Sequence, residues 1–246
     1  MENLYRTVFN RLPHGLRRRI FPLDEAVLQL VREAAESRAL PVLDAGAGEA
    51  RFRRLFQQPY FACDLGVGDS SWDFSKIDLL AKLEQLPFID NSFGAVVNTQ
   101  VLEHVPDPAT VVRQLFRVLK PGGMLYLSAP QGWHEHQQPH DFFRFTRYSL
   151  EMLLTEAGFQ QCAIQPMGGY FHYLGHRLTF IPKVLFFHRK GWLRALLLPL
   201  EAATVAACCF LAPIACFYLD ALDRNQEFTL CYRCTAQKPP ALRSPE

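Results

Sequence analysis

The stretch Pro41–Phe56, PVLDAGAGEARFRRLF, sets Asp44, Gly46, Ala47 and Gly48 on a turn that follows a short apolar run. Glycines at a strand-to-helix turn let the backbone approach a ligand closely, and the N–H groups that follow offer it an anchor. Asp64 ends the next apolar run, PYFACDLG. That is the distance onward at which an acidic side chain can take both hydroxyls of a ribose. Loop and acid together describe a site for an adenosine-bearing ligand.

Two details narrow the ligand. A dinucleotide fingerprint wants G-x-G-x-x-G, and this chain has Arg51 at the third position, where a side chain hinders close packing of helix on strand. Asp44 faces a pyrophosphate unfavourably but suits an ammonium group. A ligand with a ribose, an amino group and no phosphate meets both conditions, and S-adenosylmethionine is such a ligand.

Methyl transfer from a sulfonium needs an acceptor held in line and a general base only if the acceptor keeps its proton. His104, in VLEHV, and His140, in PHDFFRFT, are the candidate bases. Each has a plainer reading: Glu103 and His104 can order a loop, and His140 can join Arg144, Phe142, Phe143 and Phe145 in an acceptor wall or in core packing. The grouping of His134, Glu135, His136, His140 and Asp141 has ligand chemistry but loop-like neighbours, so no metal is assigned to it. Cys231 and Cys234 form a CxxC on a strand-like run, where residues three apart face opposite ways, so no zinc site is expected there either.

These groups need a frame. Apolar residues recur at helical spacing from Asp24 to Arg38, ahead of the strand VLDAG; GAVVNTQ (Gly94–Gln100) and MLYLSAP (Met124–Pro130) read as further strands. Between the last two lies a helix with Asp107 as N-cap, Pro108 at its first position, and Pro121-Gly122-Gly123 expected to stop it and turn the chain. SLEMLLTEAGF predicts a helix over Ser149–Ala157 capped by Gly158, leading into the strand CAIQPMG. Alternating strands and helices predict a doubly wound α/β sheet that binds ligands at the carboxyl ends of its strands.

The order of VLDAGAG, LPFIDNSFGAVVNTQVLEHVPDP, FRVLKPGGMLYLSAP and PHDFFRFTRYSLEMLLTEAGF resembles the class I S-adenosylmethionine-dependent methyltransferases, particularly the type 11 subgroup, over about Leu40–Met167 and again at the terminal strand. The resemblance implies a Rossmann-like seven-stranded sheet whose last strand is antiparallel. It implies Asp44, Gly46, Ala47 and Gly48 around the methionine moiety, Asp64 on the ribose, and Asn98 to Gln100 near the sulfonium. The family often has an Asp four residues before its LPF signature for the adenine amino group; this chain has Lys82 there, leaving Asp78 or the backbone beside Leu83 for that contact. Lys82 also keeps a second reading open, a catalytically silent cofactor-binding module. A nicotinamide-dependent oxidoreductase comes third, opposed by Arg51.

A net charge of +2 over 246 residues argues against nucleic-acid binding, and partners must be read locally. Trp192–Leu222 is apolar with Arg194, Glu201 and Asp220 as its only charges, and NRLPHGLRRRIFP near the start is basic with interleaved Leu, Ile and Phe. The organisation expected is a basic amphipathic segment and leading helix over 1–40, the cofactor-binding core over 41–170, an apolar helical insertion over 171–226, and the terminal strand and Pro-rich tail over 227–246. Pro199 and Pro213 are expected to break the apolar run into short helices that dip into a membrane surface. The acceptor expected is a small hydrophobic molecule. With an odd cysteine count of seven and no secretory pattern, the expected place is the cytoplasm, peripheral at the inner face of a membrane.

Overall fold

The structure is a computed structural model that describes residues 13–37, 39–57, 59–68, 71–186 and 192–241. Arg11 and Leu12 of the basic segment, Arg38 and the last residues of the tail lie outside the described residues. The chain divides into two compact units, one of residues 27–165 and 231–246, the other of residues 1–26 and 166–230.

The first unit holds a seven-stranded sheet. In chain order its strands are β1 (Val42–Ala45), β2 (Tyr60–Asp64), β3 (Leu79–Leu80), β4 (Phe93–Thr99), β5 (Leu119–Pro130), β6 (Gln160–Pro166) and β7 (Cys231–Gln237), arranged β3-β2-β1-β4-β5-β7-β6. β1 pairs in parallel with β2 and β4, β2 with β3 and β4 with β5, whereas β7 runs antiparallel to β5, with Leu127 opposite Cys234. Leu43, Val96, Leu125 and Leu127 are fully buried, as strands covered on both faces require. The sequence-expected sheet, including its antiparallel last strand, is present. The order reverses between β1 and β4, and a ligand crevice opens at such a switch point.

The helix between β4 and β5 (Pro108–Val118) carries the expected cap: the Asp107 carboxylate accepts from Thr110 N at 3.0 Å, and Pro108 sits in the first turn. Its stop differs from expectation. Strand pairing begins already at Leu119, opposite Phe93, and Pro121-Gly122-Gly123 forms a bulge inside β5 before pairing resumes at Ala95 and Met124. Gly122, at φ +79°, donates to Lys238 O at 2.9 Å, so the terminal residues after β7 hold a turn that would otherwise face solvent. The helix Arg147–Glu156 opens on a Thr146–Ser149 capping box and closes at Ala157 and Gly158, the latter at φ +99°.

The second unit is helical: α1 (His14–Ile20), α2 (Pro22–Glu36, which continues into the sheet unit), α5 (Tyr170–Leu178), α6 (Ile181–Phe186), α7 (Trp192–Ala206) and α8 (Ala212–Leu219), with α3 and α4 denoting the two sheet-unit helices above. The prolines do not cut the apolar run into separate short helices. Pro199 lies inside α7, and a π turn at Ala207–Leu211 joins α7 to α8, with Pro213 in the first turn of α8 where a missing N–H matters least. Leu196–Leu222 is thus one helical run of 27 residues, long and apolar enough by length and composition to cross a membrane, of which 11% of the most apolar window is buried. Asp220 ties its end to α5, accepting from Gly169 N and His172 N, each at 2.9 Å, and pairing with His172 Nδ1 at 2.6 Å.

Candidate functional site

β1 ends in Ala45, and the chain then turns through Gly46 at φ +82° and Gly48 at φ +55°, a region that favours glycine. A Cβ on Gly46 would lie 2.4 Å from Val101 Cγ2 and 2.7 Å from Val101 Cγ1. The turn after β1 is therefore held against the loop after β4 with no room for a side chain. Trp72 lies beside Gly48 and Gly68, its indole Nε1 buried without a hydrogen-bond partner.

Asp44 is buried, one carboxylate oxygen accepting from the Tyr60 hydroxyl and the other, Oδ1, lacking any hydrogen-bond partner. Burial pushes its pKa up to about 6 despite the Tyr60 hydrogen bond and the attraction of Arg51. Asn98, fully buried, donates through Nδ2 to Ala45 O at 2.7 Å and leaves its Oδ1 unpartnered. Two orphaned buried oxygens at the ends of adjacent parallel strands are acceptors for a ligand's N–H groups.

Asp64, at the end of β2, accepts from Gly48 N at 2.9 Å and from Gly66 N at 2.8 Å. The acid and the glycine turn paired from sequence are thus in direct contact. Burial raises the Asp64 pKa, with both backbone donors opposing that rise. Gln100, at φ +55°, donates to Ser128 Oγ at 3.0 Å and accepts from Cys231 Sγ at 3.3 Å, which fixes the tip of β4 to β5 and β7. Asp78 is engaged elsewhere: its carboxylate accepts from Ala62 N at 2.7 Å and pairs with Arg53. Leu83 buries its side chain in the core, in a short turn that follows Lys82.

On the other side of this crevice, the loop after β4 meets the loop after β5. Glu103 O accepts from Phe142 N at 2.8 Å, and His104 Nδ1 lies 2.5 Å from His140 O. His140 meets His104 through its backbone only; its ring is exposed, 6.3 Å from that of Phe142. Arg144 fastens the second loop, gripping Asp141 at 2.7 and 2.8 Å and donating to Trp133 O at 3.1 Å and His134 O at 2.8 Å. That two-pronged bond holds the Asp141 carboxyl well below the usual range. Trp133, Glu135, Asp141, Phe142, Phe143 and Arg144 line a pocket, whereas Phe145 belongs to the core. The cluster read from sequence is split: Asp141 serves Arg144, and His136 turns its Nε2 to within 3.1 Å of His104 Nε2. The Glu103 carboxylate is fully buried beside them with no hydrogen bond to either oxygen, and its pKa is pushed up to about 8.

Residues 43–127 match a family model described as a methyltransferase domain, that of type 11. The chain is 34% identical over 149 residues to a Mycolicibacterium smegmatis protein named "Probable S-adenosylmethionine-dependent methyltransferase", covering 54% of this chain and 56% of that one. It is 41% identical over 101 residues to a ubiquinone biosynthesis O-methyltransferase of Pseudomonas aeruginosa, covering 40% and 39%. The matched residues are thus similar to the class I S-adenosylmethionine-dependent methyltransferases. The chain spans about half the length of the first of these relatives. Among solved structures, the methyltransferase fold recurs in the [4+2]-cyclase SpnF (TM-score 0.55, 20% identity, 88% of this chain and 82% of that). It recurs also in an S-adenosylmethionine-dependent methyltransferase of Archaeoglobus fulgidus (TM-score 0.54, 14% identity, 87% and 94%).

The cofactor of this methyltransferase family is S-adenosylmethionine, and the local chemistry fits it. Buried Asp44 offers an unpartnered oxygen suited to an ammonium, and no side chain fills the turn at Gly46 and Gly48. Sequence reasoning missed Tyr60, Val101 and Trp72. Tyr60 had a faint signal, since it lies two residues before the β2 partner of Asp44 and so on the same face. The other two meet the site through loops, for which spacing carries no signal.

Proposed function

We propose that the chain transfers the methyl group of S-adenosylmethionine, by in-line displacement, to a small hydrophobic acceptor reached at a membrane surface. In this reading Asp44 receives the cofactor ammonium, Asp64 the ribose hydroxyls, and Asn98 with Gln100 borders the methyl-bearing sulfur, while the backbone at Leu83 serves the adenine end, Asp78 being held by Ala62 N and Arg53. The sulfonium supplies an activated methyl and its own leaving group, so the protein's share is alignment and exclusion of water. An acceptor that arrives protonated needs a base. The exposed ring of His140 supports it in that role, and the commitment of His104 Nδ1 to a backbone carbonyl supports His104 as the residue that positions the loop.

The observation that carries the acceptor half is the helical run Leu196–Leu222, with Leu196, Leu198, Leu200 and Leu211 exposed. Beside it in the same unit, α1 stacks Arg18 5.8 Å over Phe217 and Arg19 5.5 Å over Tyr218. Basic side chains laid on an apolar helix suit an anionic bilayer surface, where each cation adds about 1 kcal/mol. The name of the ubiquinone-biosynthesis relatives also fits a hydrophobic acceptor oxygen.

The test is transfer of labelled methyl from the cofactor into a total lipid and metabolite extract, with Asp64→Ala as the control. Label in a lipid-soluble product from wild type alone supports the reading. Label only in water-soluble products, or a protein that fails to float with anionic liposomes, overturns the acceptor half.

A further inference from the structure

The buried face shared by the two acceptor-side loops holds a donor set that methyl transfer itself does not require. Glu103 and His104 come from the loop after β4 and His136 from the loop after β5. One ligand atom from each lies within 4.8 Å of the others. His104 Nε2 and His136 Nε2 stand 3.1 Å apart, and Glu103 Oε1 is 3.8 Å from His104 Nε2.

The tautomers follow from the outer contacts. His104 Nδ1 faces the carbonyl of His140 at 2.5 Å and His136 Nδ1 that of His134 at 3.0 Å. A carbonyl can only accept, so each Nδ1 carries the hydrogen and each Nε2 of a neutral ring is a lone pair. Two lone-pair nitrogens then stand 3.1 Å apart, on rings inclined at 78°, beside a fully buried carboxylate whose oxygens have no hydrogen bond. Without a metal ion the three groups need two protons, one shared by the imidazoles and one on Glu103, whose oxygens still find no hydrogen-bond partner. One cation of charge two answers all three.

We propose that Glu103, His104 and His136 form a binding site for a borderline divalent transition-metal ion of the Zn²⁺ or Co²⁺ kind. Metal bonds of 2.0–2.1 Å at tetrahedral angles put ligand atoms about 3.3 Å apart, against 3.1 and 3.8 Å for the two pairs that include His104, with all three atoms within 4.8 Å of one another. Two imidazoles and one carboxylate select such ions over Mg²⁺ or Ca²⁺. The carbonyls behind each Nδ1, with Asp141 Oδ2 3.4 Å from His136 Nδ1, are the outer contacts that fix ring orientation at metal sites. Three protein ligands leave a fourth position for water or another donor. The ion would pin the loop after β4 to the loop after β5.

The test is Co²⁺ titration of the untagged, chelator-treated full chain, read by visible absorption without S-adenosylmethionine or acceptor, so that its outcome is separate from that of the methyl-transfer assay. We expect one Co²⁺ per chain with bands of nitrogen and oxygen coordination, affinity reduced at least about ten-fold in His136→Gln and in Glu103→Gln, and no change in Cys234→Ser. His136 lies on a loop, so His136→Gln remains informative if Glu103→Gln fails to fold, and near-ultraviolet circular dichroism checks both. No visible bands in wild type, equal affinity in folded His136→Gln, or thiolate charge-transfer bands lost in Cys234→Ser would each overturn the assignment.

Discussion

Gly46→Ala is the substitution for which the structure makes the sharpest demand. The new methyl carbon would stand 2.4 and 2.7 Å from the two Val101 methyls, against an ordinary contact of about 3.5–4.0 Å. Something must move by about an ångström, and overpacking of that kind costs about 1–3 kcal/mol. The backbone at φ +82° adds about 1–2 kcal/mol for any residue with a Cβ. The total is about 2–5 kcal/mol, and the two parts separate in a double-mutant cycle. Val101→Ala removes both clashing methyls but leaves the backbone cost, so in that background Gly46→Ala should lose only about 1–2 kcal/mol. Urea denaturation of the four proteins measures the coupling, expected at about 1–3 kcal/mol. Calorimetry with S-adenosylmethionine on the same proteins should show weaker binding for Gly46→Ala, partly restored by Val101→Ala. Additive stability changes, with no rescue, would refute the claim that the turn after β1 is packed against the loop after β4.

Asp44 gives a pH dependence with a definite sign. Its pKa, pushed up to about 6 by burial, means the cofactor-free protein is largely protonated there at pH 5 and ionised at pH 7.5. If only the ionised form pairs with the cofactor ammonium, affinity for S-adenosylmethionine should fall about ten-fold from pH 7.5 to pH 5, with proton uptake on dissociation, and Asp44→Asn should flatten the profile. Calorimetry in buffers of different ionisation enthalpy reads both, and a flat wild-type profile would move the ammonium elsewhere. Arg144→Ala should speed amide exchange across residues 131–145 at least about ten-fold while leaving β4 and β5 protected, because one guanidinium holds Asp141 and three carbonyls there. Arg144→Lys should not restore protection, since an ammonium lacks the planar fork, and unchanged exchange in either variant would contradict the loop's dependence on that guanidinium.

How much of this could be read beforehand depended on the range of the interaction. Asp107 and Pro108, or Gly158, act within a few residues, so the caps they form are legible in the pattern. The sheet followed from apolar runs at regular intervals, and the Asp44, Gly46, Gly48 and Asp64 set from a spacing that a strand, turn and helix make rigid. The bulge at Pro121-Gly122-Gly123 was invisible because the Gly122 N–H finds its acceptor at Lys238, at the far end of the chain. The prolines act differently from expectation for a related reason: proline weakens a helix only locally, so the run continues past Pro199, and the π turn at Ala207–Leu211 lies directly before Pro213. His136 faces His104 rather than the residues beside it in sequence, since neighbours on an irregular loop need not face the same way.

The asymmetry between the two sides of the crevice has a physical basis. On the cofactor side, backbone N–H groups and carboxylates meet directly across strand ends whose register is fixed by the sheet, as Gly48 N and Asp64 do. On the other side strand pairing ends at Thr99 and Pro130, and order comes from a backbone bond between the two loops, Phe142 N to Glu103 O, together with side chains reaching backbone: Arg144 to Trp133 and His134, His104 to His140. Such side-chain contacts can be exchanged one residue at a time without disturbing β4 or β5. In the proposed reading the residues from 131 to 145 set acceptor choice, and a substitution there should change which molecule is methylated before it changes how tightly the cofactor is held.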